Sequence, residues 1–394
     1  MTAPLPLEGV TVVSLEQAVA APFATRTLAD LGARVIKVER TDGGDFARGY
    51  DDAVGGTSSH FFWLNRSKES VALDVKSVEG RTLLAELVAG ADVVVQNLAP
   101  GAAARLGLGA DELRERHPGI VVADMTGYGD GGAYAGRKAY DMLVQAEAGL
   151  VAVTGTEDHP AKTGIPSADV AAGLHTAHAV LAALVRKGRT GQGAHVRVSM
   201  FDALTEWMGH PLYTAMHGGR RVGRNGLAHP AIVPYDAYPA ADGQVLVGVQ
   251  NDRQWQALVG ALGRDDLATD ADLATNRRRV AERDRVDAEV ARSTAAHPTA
   301  SLLELLADAG VPAAQVTEVD DLAAHPQLQG RDRWADVATE HGTYAALRPP
   351  ALVDGTPARM DAVPALGEHT DRVLAELDRD PATIRTLRET GVVA

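Results

Sequence analysis

Apolar positions along this chain recur in two spacings, and the switching between them lays out an α/β protein. Val10–Leu15 and Arg34–Glu39 are short β-branched runs. Between them, Pro22 to Leu31 has helical spacing that Gly32 can terminate, which makes a βαβ opening. The plan repeats with a helix from Ser77 to Ala89 stopped by Gly90, a strand Val93–Gln96, a helix near Asp111–Arg116 and a strand Ile120–Met125. Strands alternating with helices in this way predict a parallel sheet covered on both faces, with a ligand crevice beyond the strand C-termini.

The next stretch, Gly164 to Arg186, joins a Pro166-Ser167 loop to an unbroken alanine-rich segment, the pattern of a loop feeding a buried helix. Asp169 sits at the entry. Free backbone N–H groups and the positive end of the helix dipole are expected to hold its carboxylate ionised and aimed outward. Taken alone, the residue types favour simple capping by Asp169 or Ser167. A strand His195–Ser199 and a helix from about Phe201 follow, and the glycine- and arginine-rich run Gly218–His229 marks a linker. Beyond it, two strands meet at Asp242-Gly243, and helices follow at Asp252–Leu262 and Thr299–Ala309, the latter closed by Gly310. This is the pattern of a smaller mixed domain. Two amphipathic helices after His369 are expected to return to the first domain.

Composition narrows the function. The 394 residues suit two domains, and the absence of cysteine removes disulfides, thiolate metal sites and a cysteine nucleophile. A net charge of -14 argues against nucleic acid or an anionic membrane as partner. The N-terminus lacks a signal-peptide pattern and no apolar run approaches about 18 residues, so no membrane span is expected and a reducing, cytoplasmic compartment is. All six lysines (Lys37, Lys68, Lys76, Lys138, Lys162, Lys187) lie in the first half, which permits a basic pocket there for a phosphorylated ligand. His175 and His178 lack partners for a recognisable metal set, so no metal is expected. Gly127, Gly129 and Gly132 spell G-x-G-x-x-G, but Gly136 interrupts what should be a helix, which favours a turn-rich loop over a dinucleotide fingerprint. Serine-hydrolase elbows and P-loops are absent from the sequence.

Five blocks in order carry a resemblance: SLEQAVAAPFATRTLADLGARVIKVER, NRSKESVALDVKSVEGRTLLAELVAGADVVVQNLAPGAAARLGL, TGYGDGGAYAGRKAYD, the segment around Asp169, and LGEHTDRVL. Together they resemble the class III CoA-transferase family, which includes formyl-CoA and carnitine-CoA transferases and has α-methylacyl-CoA racemases as relatives. The resemblance implies a Rossmann-like parallel-sheet domain that binds coenzyme A, built from residues 1–205 and 335–394. A smaller α+β domain is implied at 228–318, with linkers at 206–227 and 319–334, in a homodimer of interlocked rings. It places the catalytic aspartate at Asp169. It places Gln17 and Ala18 where backbone and side chain meet CoA, Arg40 beside the adenine, and Leu73 and Lys76 near the nucleotide. Asn97, Leu98 and Arg105 are implied to line the same groove, and Lys138 to make a phosphate- or pantetheine-side contact. Basic residues among these suit the phosphates of CoA in an otherwise acidic chain.

The implied reaction moves CoA from a donor acyl-CoA to a small carboxylic acid through an aspartyl anhydride and an aspartyl-CoA thioester. Racemases of the family pair their aspartate with a His-Asp dipeptide, where this chain has Tyr140-Asp141. Tyrosine is a poor base near neutrality, which favours transfer over racemisation. A catalytically silent CoA-binding homologue is the other alternative. The stretch 46–70 resembles branches using succinyl-CoA and C4 or C5 dicarboxylic acids, without separating malate, citramalate, mesaconate and itaconate. Arg48 or Arg66 is expected either to bind the distal carboxylate or to form a structural salt bridge. The formyl-CoA transferase glycine run has no clear match; RNGLAHPAIVPYD, with Gly226 and His229, stands there instead.

Overall fold

The computed structural model describes residues 4–219, 221–351, 353 and 356–394. Strands β1 (Thr11–Leu15), β2 (Arg34–Glu39), β3 (Lys68–Ala72), β4 (Val93–Gln96), β5 (Val121–Thr126) and β6 (Ala194–Ser199) form one parallel sheet in the order β3-β2-β1-β4-β5-β6. The period-2 geometry of strands divides their side chains between two cores. Val12, Val35, Val93 and Val121 pack with the helices Ala20–Asp30 and Ser167–Thr190 on one face. Val13, Ile36, Val94 and Val122 pack on the other with the helix Val78–Ala89 and with Val373 and Ile384 of the C-terminal helices Thr370–Glu376 and Pro381–Glu389. Strand order reverses between β1 and β4, so their carboxyl ends splay apart and leave a crevice.

Apolar spacing did not reveal β3. Lys68 and Ser70 of this strand are buried, and each is held by a carboxylate contributed from elsewhere in the chain. Nor did it reveal the hairpin Trp334–Thr339 and Gly342–Leu347, whose Val337 and Ala346 pack on Ala47 and Phe61. The G-x-G-x-x-G run is a loop after β5, and no helix begins until Asp141.

By its contacts the chain forms two compact units: residues 1–151, 162–222 and 333–394 make the first, and 152–161 with 223–332 the second. The second has an antiparallel sheet (Tyr235–Ala240, Gly243–Gly248, Ala313–Gln315) over a core that includes Trp255, Leu258, Val286 and Leu302. Its hairpin turns at Ala241 and Asp242, and Asp242 also accepts a hydrogen bond from Thr299 N–H at 2.7 Å, at the start of the helix Thr299–Asp308. Residues 152–161 belong to this unit because Gly226 N–H donates to the Gly155 carbonyl and Arg224 to that of Thr156. The stretches read as linkers are partly helical, at Met200–Trp207 and Gly209–Gly218 in the first unit and at Val319–Leu322 and Pro326–Gln329 in the second.

The helix Ser167–Thr190 is long and apolar enough to cross a membrane, contrary to the expectation from sequence that no stretch qualifies. Here it is a core element, with Ala168, Ala171, Ala172 and Val180 fully buried. Small side chains let it lie close to the helix Ala20–Asp30. A Cβ at Gly173 would come 2.7 Å from the Ala20 carbonyl oxygen and 3.0 Å from Phe23 Cβ. Gly173 is one turn beyond Asp169, so this contact seats the Asp169 end of the helix. Gly173→Ala gains about 1 kcal/mol of helix propensity but must push a backbone carbonyl away, an overpacking cost of typically 1–3 kcal/mol. Urea denaturation should therefore show a net loss of stability, whereas the equivalent change at the open Gly188 should stabilise.

Candidate active site

A crevice of about 280 Å³ opens at the switch point between β1 and β4. Leu15, Val38, Leu73, Val75, Leu98 and Leu106 make its walls apolar, and Arg40, Lys76 and Arg105 line it with positive charge. Lys76 and Arg105 form no ion pair among the described residues, so an acidic chain presents two uncommitted cations here. Arg40 stacks 5.0 Å from the centroid of the half-exposed Phe46 ring and donates to the Gly44 carbonyl, a flat edge suited to a planar ring. The Leu98 N–H donates to Gln96 Oε1 at 2.7 Å, and the Gln96 amide donates to Asp124, which fixes the wall between strands.

Along the floor of the crevice lies a network of ionisable groups, three acids and three bases, all buried but for the part-exposed Arg48: Glu16, Glu39, Asp45, Lys37, Lys68 and Arg48. Lys37 reaches Asp45 at 2.6 Å and Glu16 at 3.5 Å, Lys68 reaches Glu16 at 2.7 Å, and Arg48 holds Glu39 with two 2.8 Å bonds. Burial alone would discharge Glu16, Lys37, Glu39 and Lys68. Instead Asp45 and Glu16 raise Lys37, and Arg48 and Lys37 hold Glu39 down to about 2. For Lys68 burial prevails, lowering it to about 8. Equal numbers of opposite charges make this burial tolerable.

The turn after β1 rests on that network. Gln17 N–H donates to Asn97 Oδ1 at 2.9 Å and the Asn97 amide returns a bond to the Gln17 carbonyl at 3.0 Å. Ala18 N–H donates to Asp45 Oδ1 at 2.9 Å. Ala18 has φ +62°, a left-handed conformation that costs a side-chain-bearing residue roughly 1–2 kcal/mol.

Asp169 occupies the first turn of its helix, but it is not the cap. The Asp141 carboxylate accepts from Ala168 N–H at 2.8 Å and from Asp169 N–H at 3.3 Å, and Gln145 donates to its other oxygen at 2.7 Å. The donors that were expected to hold Asp169 ionised are thus taken by another acid. Burial, reinforced by the Asp141 charge, raises the Asp169 carboxyl to about 7. That corrects the expectation of a stabilised carboxylate: the group is proton-poised at neutrality. It remains partly exposed and lies within electrostatic reach of Tyr50, which also feels Asp45 of the crevice.

Of the residues singled out from sequence, the structure brings Gln17, Arg40, Leu73, Lys76, Leu98 and Arg105 to the crevice. Ala18 and Asn97 support it through the turn, although the backbone N–H groups of Gln17 and Ala18 are already committed. Lys138 is exposed on the loop after β5, outside the crevice walls. Arg48 and Arg66 are both structural: Arg48 binds Glu39, and Arg66 makes a buried bidentate pair with Asp30. Gly226 bonds Gly155, and His229 stacks on Tyr235 at 5.3 Å. Tyr50, Asp45 and Gln145 were missed, and Asp141 was read only as the partner of Tyr140 in the racemase comparison. Asp45 does read as a turn residue, accepting from Ala47 N–H, but its longer-range partners leave no local trace.

The profile of CoA-transferase family III matches residues 7–370. The chain is 35% identical to the succinate–glutarate CoA-transferase of Agrobacterium fabrum, covering 95% of this chain and 96% of that one. It is 34% identical to a succinyl-CoA:mesaconate CoA-transferase of Haloarcula marismortui, over 96% and 98% of the two chains. Among solved structures, a CAIB/BAIF family protein from Brucella suis superimposes with a TM-score of 0.86 at 35% identity, covering 95% of this chain and all of that one.

The raised Asp169 has a measurable consequence. Its folded value of about 7 exceeds the ordinary 3.8, so the fold favours the protonated form and stability contributed there falls as pH rises from about 4 toward 7. Asp169→Asn removes the charge while keeping the shape. It should stabilise the protein above pH 7 by up to a few kcal/mol, at about 1.4 kcal/mol per pKa unit, and have little effect near pH 4; denaturant titrations at the two pH values check this.

Proposed function

The chain belongs to CoA-transferase family III, and on that footing we propose that it moves CoA from succinyl-CoA to a small dicarboxylic acid, with Asp169 as the nucleophile. Two features support this: uncommitted Lys76 and Arg105 line an apolar switch-point crevice, and a poised carboxyl stands at a helix mouth, its charge reaching Tyr50 as does that of the crevice residue Asp45. The crevice fits CoA chemically. Arg40 and Phe46 offer a stacking edge for the adenine, Lys76 and Arg105 suit its phosphates, and the apolar walls suit its uncharged arm. Relatives named for succinate, glutarate and mesaconate support the donor and the acceptor class.

In the proposed reaction the Asp169 carboxylate attacks the thioester carbonyl, forming a mixed anhydride as the CoA thiolate leaves. Thiolate attack on the Asp169 carbonyl then frees the donor acid and leaves an aspartyl-CoA thioester. The acceptor carboxylate attacks that thioester to form a second anhydride, and the thiolate takes the acceptor's acyl group, returning Asp169. A carboxyl near 7 suits the task, because it is partly ionised at neutral pH and more basic, hence more nucleophilic, than an ordinary aspartate. The racemase alternative needs a second base. Asp141 has both oxygens engaged in holding the helix, which weighs against it.

The same assignment carries the interlocked homodimer and a cytoplasmic location. Trp207, Tyr213 and Met216 lie near one another in sequence on exposed helical surface of the first unit, which supports burial by a second copy. Sedimentation should give a particle of two 41.3 kDa chains that does not dissociate on dilution. For activity, incubation with succinyl-CoA and glutarate or mesaconate should yield the new acyl-CoA by mass spectrometry. Asp169→Asn should lower turnover at least ~10³-fold while CoA still binds. Undiminished turnover in that variant removes Asp169 as the nucleophile.

A further inference from the structure

The Gln17–Ala18 turn forms one lip of the crevice, yet nothing in its own sequence would hold it there. Ala18 has a side chain in a left-handed conformation. Its N–H is held by Asp45, which comes from the loop after β2, and the N–H of Gln17 by Asn97, which follows β4. Asp45 is itself immobilised. Lys37 fixes Oδ2 at 2.6 Å, Ala47 N–H shares Oδ1 with Ala18, and the Asp45 N–H donates to Glu39 at 3.0 Å. Its side chain is fully buried, so the acceptor has one orientation.

We propose that Asp45 is a positioning residue for acyl-CoA, which holds the Gln17–Ala18 turn in its left-handed form so that Gln17 and Ala18 shape the thioester-binding lip. This rests on the transferase assignment above. Lys37 acts at one remove, as the cation that pairs with Asp45 and aims it. The device belongs to the binding step: it sets how well acyl-CoA seats, while Asp169 performs the chemistry.

The decisive comparison uses the full-length chain and CoA itself as the probe. Asp45→Asn weakens the acceptor and breaks the pair with Lys37. It should weaken CoA binding by calorimetry about tenfold and raise the KM for succinyl-CoA similarly, leaving the KM for the acceptor acid within about twofold. Because glycine adopts the left-handed form without steric cost, adding Ala18→Gly should restore much of the lost affinity. Rescue of this kind is what a merely structural role cannot produce. Unchanged CoA affinity in D45N would overturn the proposal, as would a loss that A18G does not restore and that tracks a fall in Tm. If D45N fails to fold, Asn97→Ala releases the other half of the turn without touching the buried charges, and the same rescue by A18G is expected; its failure there also overturns the proposal. A wild-type chain that does not bind CoA overturns the transferase assignment instead, and hydrogen exchange over residues 14–24 still reports whether Asp45 holds the turn.

Discussion

A charge-balanced set of buried side chains below the β1–β4 switch point is the constraint on which the rest of this structure depends. Glu16 after β1, Lys37 and Glu39 of β2, Asp45 and Arg48 of the loop after it, and Lys68 of β3 meet there. No member could be buried singly, since an unpaired ion in such a place is strongly destabilising. Their mutual satisfaction ties the end of β1, the loop after β2 and the start of β3 into one rigid floor. Its neutrality has a further effect: three carboxylates beneath a crevice suited to phosphates do not repel them, which leaves Lys76 and Arg105 to set the local potential.

The opposite electrostatic logic operates at Asp169. There two carboxyl groups share one helix mouth, and the backbone donors go to Asp141 alone. Asp141 gains the hydrogen bonds and stays a cap; Asp169 gains only burial and a like charge. One helix terminus thus gives two acids unequal surroundings, one hydrogen-bonded to the backbone and one buried beside a like charge. Gln145 and Thr163 extend the cap into the neighbouring loop, so the setting of Asp169 depends on side chains beyond its own helix.

Close packing links these two regions. The helix Ser167–Thr190 could approach the helix Ala20–Asp30 only because its contact face is alanine and glycine. The same composition that gives it the apolar character of a membrane span lets it pack closely in the core, with Asp169 in its first turn. A bulkier face would keep the core apolar and still lose the site.

Much of this was legible in the residues. Short valine-rich runs, glycine stops and helical spacing determined five of the six parallel strands and their alternation with helices, because burial on both faces leaves a local apolar signature. The ordered blocks around Gln17, Arg40, Lys76, Arg105 and Asp169 determined the family, and with it the chemistry. Tertiary structure alone decided the rest. It decided that Lys68 begins a strand, that Arg48 and Arg66 are consumed by Glu39 and Asp30, that Lys138 stands outside the crevice, and that Asp141 rather than Asp169 caps the helix. For Lys68, Arg66 and Asp141 the reason is shared: an ionisable side chain's role depends on which group the fold brings within a few ångströms, and Glu16, Asp30 and the Ala168 N–H lie 52, 36 and 27 residues away in sequence.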